Sequence, residues 1–313
     1  MLDIKAGQLG HRRALRFTTV CACGVLFALV DACTLYGQLE SLTTQQETEF
    51  TRAWKGDRFP DGRPKVPDAI LQRMKTVSAE EAWGVLQKAG FRDQFEGGWQ
   101  RFNVSNDRVV GRVVTALFMP IRPDVDAIIR DHGAAQGRIG HGENAWVIDT
   151  LQPGDVLVVD EYEKYNFMGD NLATAVFTKS KNGIVVNGGA RDLSGISEIK
   201  GFTGYVRYFH PSSVTHGIRN VMLVGINVPI RIGDTTVMPG DVVLGDPEGL
   251  TFIPPQLSSK VVEEAEHVHL VDEWGHMMLR QGKYTSGQID GEWTPEMKDE
   301  FQRWVEKQKT ASK

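Results

Sequence analysis

GIVVNGGARDLSGI, at residues 183–196, places a short apolar strand directly before a glycine pair and an Arg-Asp pair. A second apolar strand, DVLVVD at 155–160, precedes it, and the pattern at 171–180 between them predicts a helix. Buried strands that alternate with helices are typical of α/β proteins. A hairpin-like element at 237–246 and a further strand at 250–253 follow without such a helix. The order therefore predicts a mixed sheet or a layered β/β/α body rather than a purely doubly wound sheet.

Composition narrows the class of protein. The chain has 313 residues, of which 41% are hydrophobic and 24% charged, so it can bury a large core and is not a disordered chain. Its formal charge of −5 argues against nucleic acid as a partner. All three cysteines lie at positions 21, 23 and 33. The body beyond them therefore contains no disulfide, zinc knuckle or thiol nucleophile, and a metal there needs oxygen or imidazole ligands.

The N-terminus has the three parts of a bacterial export signal. Four Lys or Arg residues precede an apolar run at 17–30, and Val-Asp-Ala follows at 30–32. The run is too short to span a bilayer, so no stable membrane span is expected. We predict that residues 1–32 are cleaved and that the protein is periplasmic or extracellular. A lipid anchor at Cys33, or a cytoplasmic chain with a misassigned start, are the alternatives.

Four segments follow from this pattern. The predicted signal (1–32) is followed by a polar N-terminal arm (33–75), a catalytic body (76–282) and a C-terminal tail (283–313) with several aromatic residues. Both extensions are expected to be helical or irregular. Within the body, Ser78 and Glu81 have the spacing of a capping box that opens a helix, and 258–282 predicts one long helix.

Common catalytic motifs are absent from the sequence. It has no G-x-x-x-x-G-K-[ST], no G-x-G-x-x-G after a strand, no G-x-S-x-G and no H-E-x-x-H. This argues against NTPases, typical dinucleotide enzymes, α/β-hydrolases and zincins.

The candidate chemistry lies in two loops. In the first, Gly169 precedes a predicted helix whose free amides, at Asn171 and Leu172, suit a small carboxylate. In the second, Arg191 can bind a carboxylate or enolate through two hydrogen bonds, and Asp192 suits a hard divalent cation. Each motif alone is equally typical of an ordinary turn or a surface ion pair. Asp170, twenty intervening residues and then Arg-Asp form a more specific pattern.

With this pattern, the stretch from about residue 76 to 255 resembles the RraA-like family, which includes the class II pyruvate aldolases. These are 4-hydroxy-4-methyl-2-oxoglutarate aldolases that also decarboxylate oxaloacetate. The segments that carry the resemblance are PGDVLVVD (153–160), GDNLATA (169–175), GIVVNGGARDLSGI (183–196) and NVPIRIGDTTVMPGDVVLGDPEGLTFIP (227–254).

The resemblance implies a β/β/α swivelling-type sandwich that assembles as a homotrimer, with sites between subunits. It implies that Asp192 ligates Mg²⁺ or Mn²⁺, that Asp170 reaches the metal through water and that Arg191 holds the pyruvyl oxygen. The amides of Asn171 and Leu172 would receive the substrate carboxylate.

By the same resemblance, two acids of a neighbouring subunit complete the site, and Glu81 and Glu266 match them. Solvated helix faces are the alternative interpretation of both. The chain departs from compact family members by its N-terminal extension, an insertion at 131–144, expected to be a surface loop, and its tail.

These observations predict a divalent-metal-dependent lyase that acts on a pyruvate-type 2-oxo acid. Metal and Arg191 would stabilise the enolate that C–C cleavage leaves, so no Schiff-base lysine is required. A non-enzymatic interaction protein, and a hydratase or other lyase on the same metal site, are the alternatives.

Overall fold

A computed structural model describes residues 41–103, 108–140 and 142–311. The predicted export signal and the three cysteines lie outside these residues. The strands are β1 Phe95–Glu96, β2 Gln100–Phe102, β3 Val109–Pro120, β4 Asp155–Asp160, β5 Asn166–Met168, β6 Ile184–Ala190, β7 Gly204–Phe209, β8 Val221–Ile226, β9 Ile230–Ile232, β10 Thr235–Val237, β11 Val242–Gly245 and β12 Leu250–Ile253. The helices are α1 Thr44–Phe50, α2 Asp68–Met74, α3 Ala79–Lys88, α4 Pro123–Ala135, α5 Asn144–Asp149, α6 Asp170–Ser180, α7 Leu193–Ser197, α8 Ser258–Arg280, α9 Ser286–Ile289 and α10 Pro295–Ala311.

One mixed sheet forms the centre of the fold, in the order β1-β12-β11-β3-β4-β6-β7-β2. Strands β3, β4, β6 and β7 run parallel to one another, whereas β11, β12, β1 and β2 pair antiparallel with their neighbours. The long strand β3 pairs with β11 along its first half and with β8 along its second half. Strands β9 and β10 form a separate hairpin.

Alternating side chains of the parallel strands enter two different cores. In β4, Leu157 and Val159 pack against the layer of α4 to α7, while Val156 and Val158 pack against the hairpin and the curled β11–β12 end of the sheet. This alternation follows from the period of two in a strand. The predicted α/β class with a layered sandwich is therefore confirmed.

Helices also cover the outside of the β11–β12 end. Val242, Leu244 and Ile253 pack there against α2, α3 and α8, forming a third core. This adds a second helical layer to the β/β/α arrangement that the sequence pattern indicates.

Segments outside the central sheet are well packed. In the arm, Arg63 is buried and donates to Asp61 (2.8 Å) and Asp155 (3.4 Å), which ties residues 58–66 to the start of β4.

The surface loop at 131–144 is shorter than expected, because α4 continues to Ala135. Glu143 is also buried, and its carboxylate accepts a hydrogen bond from Leu223 N at 2.8 Å. The tail packs Phe301 of α10 on Trp274 of α8. Across the described ranges, no helix combines the length and the apolarity needed to cross a membrane.

Candidate functional site

Strand pairing brings the two predicted loops together. Strand β5 pairs with the end of β6, so that Met168 lies opposite Ala190. The next residue on each strand is then Gly169 on one side and Arg191 on the other, and Arg191 N donates to Met168 O at 3.0 Å. The start of α6 therefore lies directly beside the Arg-Asp pair, at the carboxyl end of the parallel strands. Ligands of open α/β sheets commonly bind at this end.

The backbone of Gly169 packs closely against the side chains of Arg191 and Asp192. A Cβ atom on Gly169 would lie 2.4 Å from Asp192 Oδ2 and 2.9 Å from Arg191 Cζ. Its φ of −113° is open to any residue, so the constraint is steric and not conformational. A larger residue here would therefore displace the Arg191 and Asp192 side chains from the loop backbone.

Asp170 packs on the other side of the same loop. A Cβ atom on Gly195 of α7 would lie 2.7 Å from Asp170 Oδ2. Because α7 begins directly after Asp192, the carboxylate of Asp170 is held next to the helix that follows the Arg-Asp pair. The structure thus brings Gly169, Asp170, Arg191 and Asp192 into one group, which we call the Arg191 corner.

Charge at the Arg191 corner is partly neutralised within the chain. Arg191 Nη1 forms an ion pair with Asp192 Oδ2, and each side chain remains 37% exposed. Asp192 has a left-handed backbone (φ 60°, ψ 40°), which Asp tolerates better than most residues. Asp170 Oδ1 accepts a hydrogen bond from Asn171 N at 2.8 Å. In this structure the Asn171 amide, predicted to receive the substrate carboxylate, therefore donates to Asp170.

A pocket of about 220 Å³ opens beside this corner. It contains three residues predicted to contact substrate, Gly169, Leu172 and Arg191. The other lining residues are Gly142, Asn144, Asn166, Phe167, Met168, Ser213, Gly217, Ile218 and Arg219. Sequence reasoning missed the wall from 213 to 219, because it carries no recognisable motif.

Glu81 and Glu266 lie on a different surface of the same chain, with α2, α3 and α8. Glu81 Oε2 accepts from Ser78 N (2.7 Å) and Oγ (3.0 Å), which makes the predicted capping box, and Oε1 lies 2.9 Å from His269 Nε2. Glu266 accepts two hydrogen bonds from Arg73, both at 2.7 Å, and this guanidinium lowers the pKa of Glu266. We call this surface the Glu81 face. Neither acid lines the pocket of Arg191, so their predicted role in a neighbouring subunit's site stays a prediction.

A fully buried acid beneath the site was not found from the sequence. Glu161 follows the end of β4, and neither of its carboxyl oxygens has a hydrogen-bond partner in the described part of the chain. A Cβ on Gly188 would lie 2.9 Å from Glu161 Oε2, so the acid lies directly under the glycine pair that leads to Arg191. Burial, together with the nearby Asp160, raises the pKa of Glu161 well above its ordinary value. Burial therefore favours the protonated, uncharged form of this carboxyl group.

The donor set at the corner fits a hard divalent cation. Mg²⁺ in proteins commonly takes one or two carboxylates and keeps several waters. Asp192 and Asp170 supply two carboxylates, one packed against Gly169 and the other against Gly195. The described ranges contain no group of three or more His, Cys, Asp or Glu side chains placed to hold a metal. A cation here would accordingly depend on few protein ligands and on water.

Comparison with known proteins identifies the family to which this chain is similar. The model of the RraA-like family, described as Aldolase/RraA, matches residues 64–252. A protein of Halalkalibacterium halodurans, named provisionally as a 4-hydroxy-4-methyl-2-oxoglutarate aldolase, is 28% identical over 141 residues, which are 44% of this chain and 65% of that protein. Protein DlpA of Legionella pneumophila is 23% identical over 208 residues, or 65% of this chain and 30% of its own length. The match thus spans less than two thirds of each curated relative.

Two solved structures share the fold. RraAS2 of Streptomyces coelicolor, described as an unusual member of the RNase ES inhibitor RraA family, superposes with a TM-score of 0.56 at 25% identity, covering 68% of this chain and 99% of that one. An uncharacterized protein of Pseudomonas syringae gives a TM-score of 0.59 at 20% identity, covering 75% and 99%. The second likeness concerns the fold alone.

Proposed function

Because this chain belongs to the RraA-like family, we propose that it is a divalent-metal-dependent C–C lyase acting on a pyruvate-type 2-oxo acid. Oxaloacetate and 4-hydroxy-4-methyl-2-oxoglutarate are the substrates to test first. The proposal rests above all on one observation, the close packing of Gly169 against both Arg191 and Asp192. That packing places the Arg191 guanidinium, the Asp192 carboxylate and the start of α6 side by side, next to a small pocket that Arg191 lines.

We assign the metal to Asp192, with Asp170 acting through water, and Mg²⁺ or Mn²⁺ as the ion. When bound, the ion supplies positive charge that stabilises an enolate as it develops. Arg191 binds the ketone oxygen of the substrate and holds it through the reaction, since its charge is fixed at any accessible pH. The amides at the start of α6 bind the substrate carboxylate, after the Asp170 carboxylate releases the amide of Asn171.

The pocket itself orients the carbon chain. Phe167, Met168 and Leu172 give it an apolar wall. Such a wall limits the water that reaches the reacting carbon. C–C cleavage leaves an enolate that must be protonated to give pyruvate. We assign this proton handling to Glu81 and Glu266 of a neighbouring subunit, because the Arg191 pocket has no acid among its lining residues in the described chain.

That assignment requires an oligomer, and we propose a homotrimer. Light scattering on the purified protein is the direct measurement. A monomer with full activity at micromolar concentration would contradict both the trimer and the role of the two glutamates.

We further propose that residues 1–32 direct export and are removed. The basic start and short apolar run support this. Intact-mass analysis of protein recovered from its native host decides the matter, and a mature chain that begins at residue 1 or 2 would contradict it.

The second candidate is an interaction protein without lyase activity. It is favoured by the likeness to RraAS2, whose description places it in a family of RNase inhibitors. A third is a hydratase or another lyase on the same residues.

Pyruvate release from oxaloacetate, measured with Mg²⁺, with Mn²⁺ and after chelation, separates these candidates. The lyase predicts metal-dependent release that a chelator abolishes. Turnover that persists in chelator contradicts the metal assignment. If protein shown to be folded turns over none of a panel of 2-oxo acids, the lyase is contradicted and an interaction protein is favoured.

A further inference from the structure

A second arginine, Arg219, lines the pocket beside Arg191. The two arginines border the same volume of about 220 Å³ from different segments, one after β6 and one from the 3₁₀ turn Ile218–Asn220. None of the described residues that line the pocket is an Asp or Glu. A small ligand in this pocket is therefore placed to meet two cationic groups.

The two guanidinium groups differ in how their charge is balanced. Arg191 has the carboxylate of Asp192 as its ion-pair partner. Arg219 is exposed and forms no ion pair with any residue in the described ranges. The unbalanced positive charge of the pocket thus lies at Arg219.

Arg219 projects from an anchored turn. Gly217 bridges to Asn166, and the side chain of Asn220 donates to Gly217 O and to Val214 O, both at 2.9 Å. Ile121 N donates to Asn220 O at 3.0 Å, which fixes the turn to the end of β3. The backbone that carries Arg219 is therefore held from both sides, and only the side chain remains to be ordered on binding.

From these contacts we infer that Arg219 binds a second carboxylate of the substrate and selects 2-oxo dicarboxylates over 2-oxo acids that lack this group. The inference rests on the proposed function, since it takes Arg191 as the contact to the ketone end. Leu172 and Ile218 supply apolar surface in the same pocket, which suits the short carbon chain between the two charged ends. The small volume favours a compact acid rather than a long one.

The test compares two inert ligands by calorimetry in the presence of Mg²⁺. Pyruvate carries only the 2-oxo acid group, and 2-oxoglutarate adds a distal carboxylate. In the wild-type protein 2-oxoglutarate should bind more tightly than pyruvate. Arg219→Gln should weaken 2-oxoglutarate about 10- to 100-fold, the range expected for a charged hydrogen bond, and change pyruvate by less than about twofold. Arg219→Lys should recover part of the loss.

Arg280→Gln is the matched control, because Arg280 is an exposed arginine at the end of α8, outside this pocket. It should leave both affinities unchanged. Equal weakening of both ligands by Arg219→Gln, unchanged 2-oxoglutarate binding, or wild-type protein that does not prefer 2-oxoglutarate would each overturn the inference.

Turnover separates this inference from the proposed function. The ratio of kcat/KM for 4-hydroxy-4-methyl-2-oxoglutarate, whose second carboxylate is retained in the cleaved fragment, to that for 4-hydroxy-2-oxopentanoate, which lacks this carboxylate, should fall about 10-fold or more in Arg219→Gln. Turnover with an unchanged ratio overturns the role of Arg219 and leaves the lyase intact. Ligand selectivity that depends on Arg219 without turnover of any substrate supports the role of Arg219 and contradicts the lyase.

Discussion

The Arg191 corner and the Glu81 face hold their charges in opposite ways. At the corner, Asp192 is 37% exposed, forms its ion pair with the adjacent residue in sequence and packs against a glycine. At the Glu81 face, each carboxylate has partners from its own chain that join helices: Glu81 caps α3 and contacts α8, and Glu266 joins α8 to α2. The first arrangement leaves charge available to a ligand. The second already has a structural use, so a catalytic role there needs a separate demonstration.

The largest effect is expected at Asp192. Asp192→Asn should lower metal-dependent lyase activity at least 100-fold, because it removes the proposed metal ligand. Asn keeps the size and tolerates the left-handed backbone, whereas Asp192→Ala would add backbone strain. Mn²⁺ titration should show binding weakened at least 10-fold. Asp299→Asn, an exposed change on α10, serves as control. Wild-type Mn²⁺ affinity in Asp192→Asn would place the metal elsewhere.

Gly169→Ala tests the steric packing at the Arg191 corner. The new methyl group would meet only the ends of flexible side chains, so Arg191 and Asp192 should move while the fold stays intact. We expect activity to fall about 10- to 100-fold, as for misplaced catalytic groups, with little change in Tm. Gly287→Ala is the control, since a Cβ there meets nothing within 4 Å. Activity equal to wild type would show that the contact is not needed.

Subunit mixing tests whether the Glu81 face takes part in catalysis. Glu81→Gln should keep the cap, because Gln also serves at that position of a capping box, yet lower activity roughly 10-fold. Glu81→Gln and Asp192→Asn subunits can be dissociated, mixed and reassembled. The mixture should regain part of the activity, because some sites then combine an intact Glu81 from one chain with an intact Asp192 from another. Failure to regain activity in mixed oligomers, with assembly verified, would leave Glu81 a purely structural residue.

The smallest effect is expected for stability at Glu266. Glu266→Gln weakens an exposed pair with Arg73 and should lower the urea midpoint only slightly, near the limit of detection. Because Arg73 lowers the pKa of Glu266 in the folded state, the pair contributes above the ordinary Glu pKa, and this contribution is lost as the pH falls through the lowered value. A double-mutant cycle with Arg73→Gln at neutral and acidic pH measures it. Coupling that grows on acidification would contradict this assignment.

The sequence predicts those parts of the molecule that depend on local pattern. Apolar runs such as 155–160 and 183–187 correspond to β4 and β6, and the capping box at Ser78 and Glu81 forms as its spacing predicts. The juxtaposition of Asp170 with Arg191 is consistent with the pattern of spacing, although its cause, the pairing of β5 with β6, was not predicted.

Contacts that depend on long-range pairing escaped prediction. The apolar run at 221–226 forms β8, but its antiparallel pairing with the second half of β3 does not follow from the run itself. The position of Glu161 under Gly188 depends on how strands and loops converge in space, and so does the presence of Arg219 in the pocket of Arg191. Residue type and spacing contain no direct signal for either.

The pairing of β3 has a consequence for how the chain folds as it is synthesised. Val110 of this strand is opposite Leu244, so two residues that pair directly in the sheet are 134 positions apart in the sequence. Until β11 and β12 leave the ribosome, the first half of β3 lacks a neighbour on that side, and its backbone groups offer a template for other chains. A chain that ends before residue 242 therefore lacks β11 and exposes this edge of β3, so such a fragment is poorly suited to expression. Slow closure of such distant pairs is the rule for sheets of high contact order.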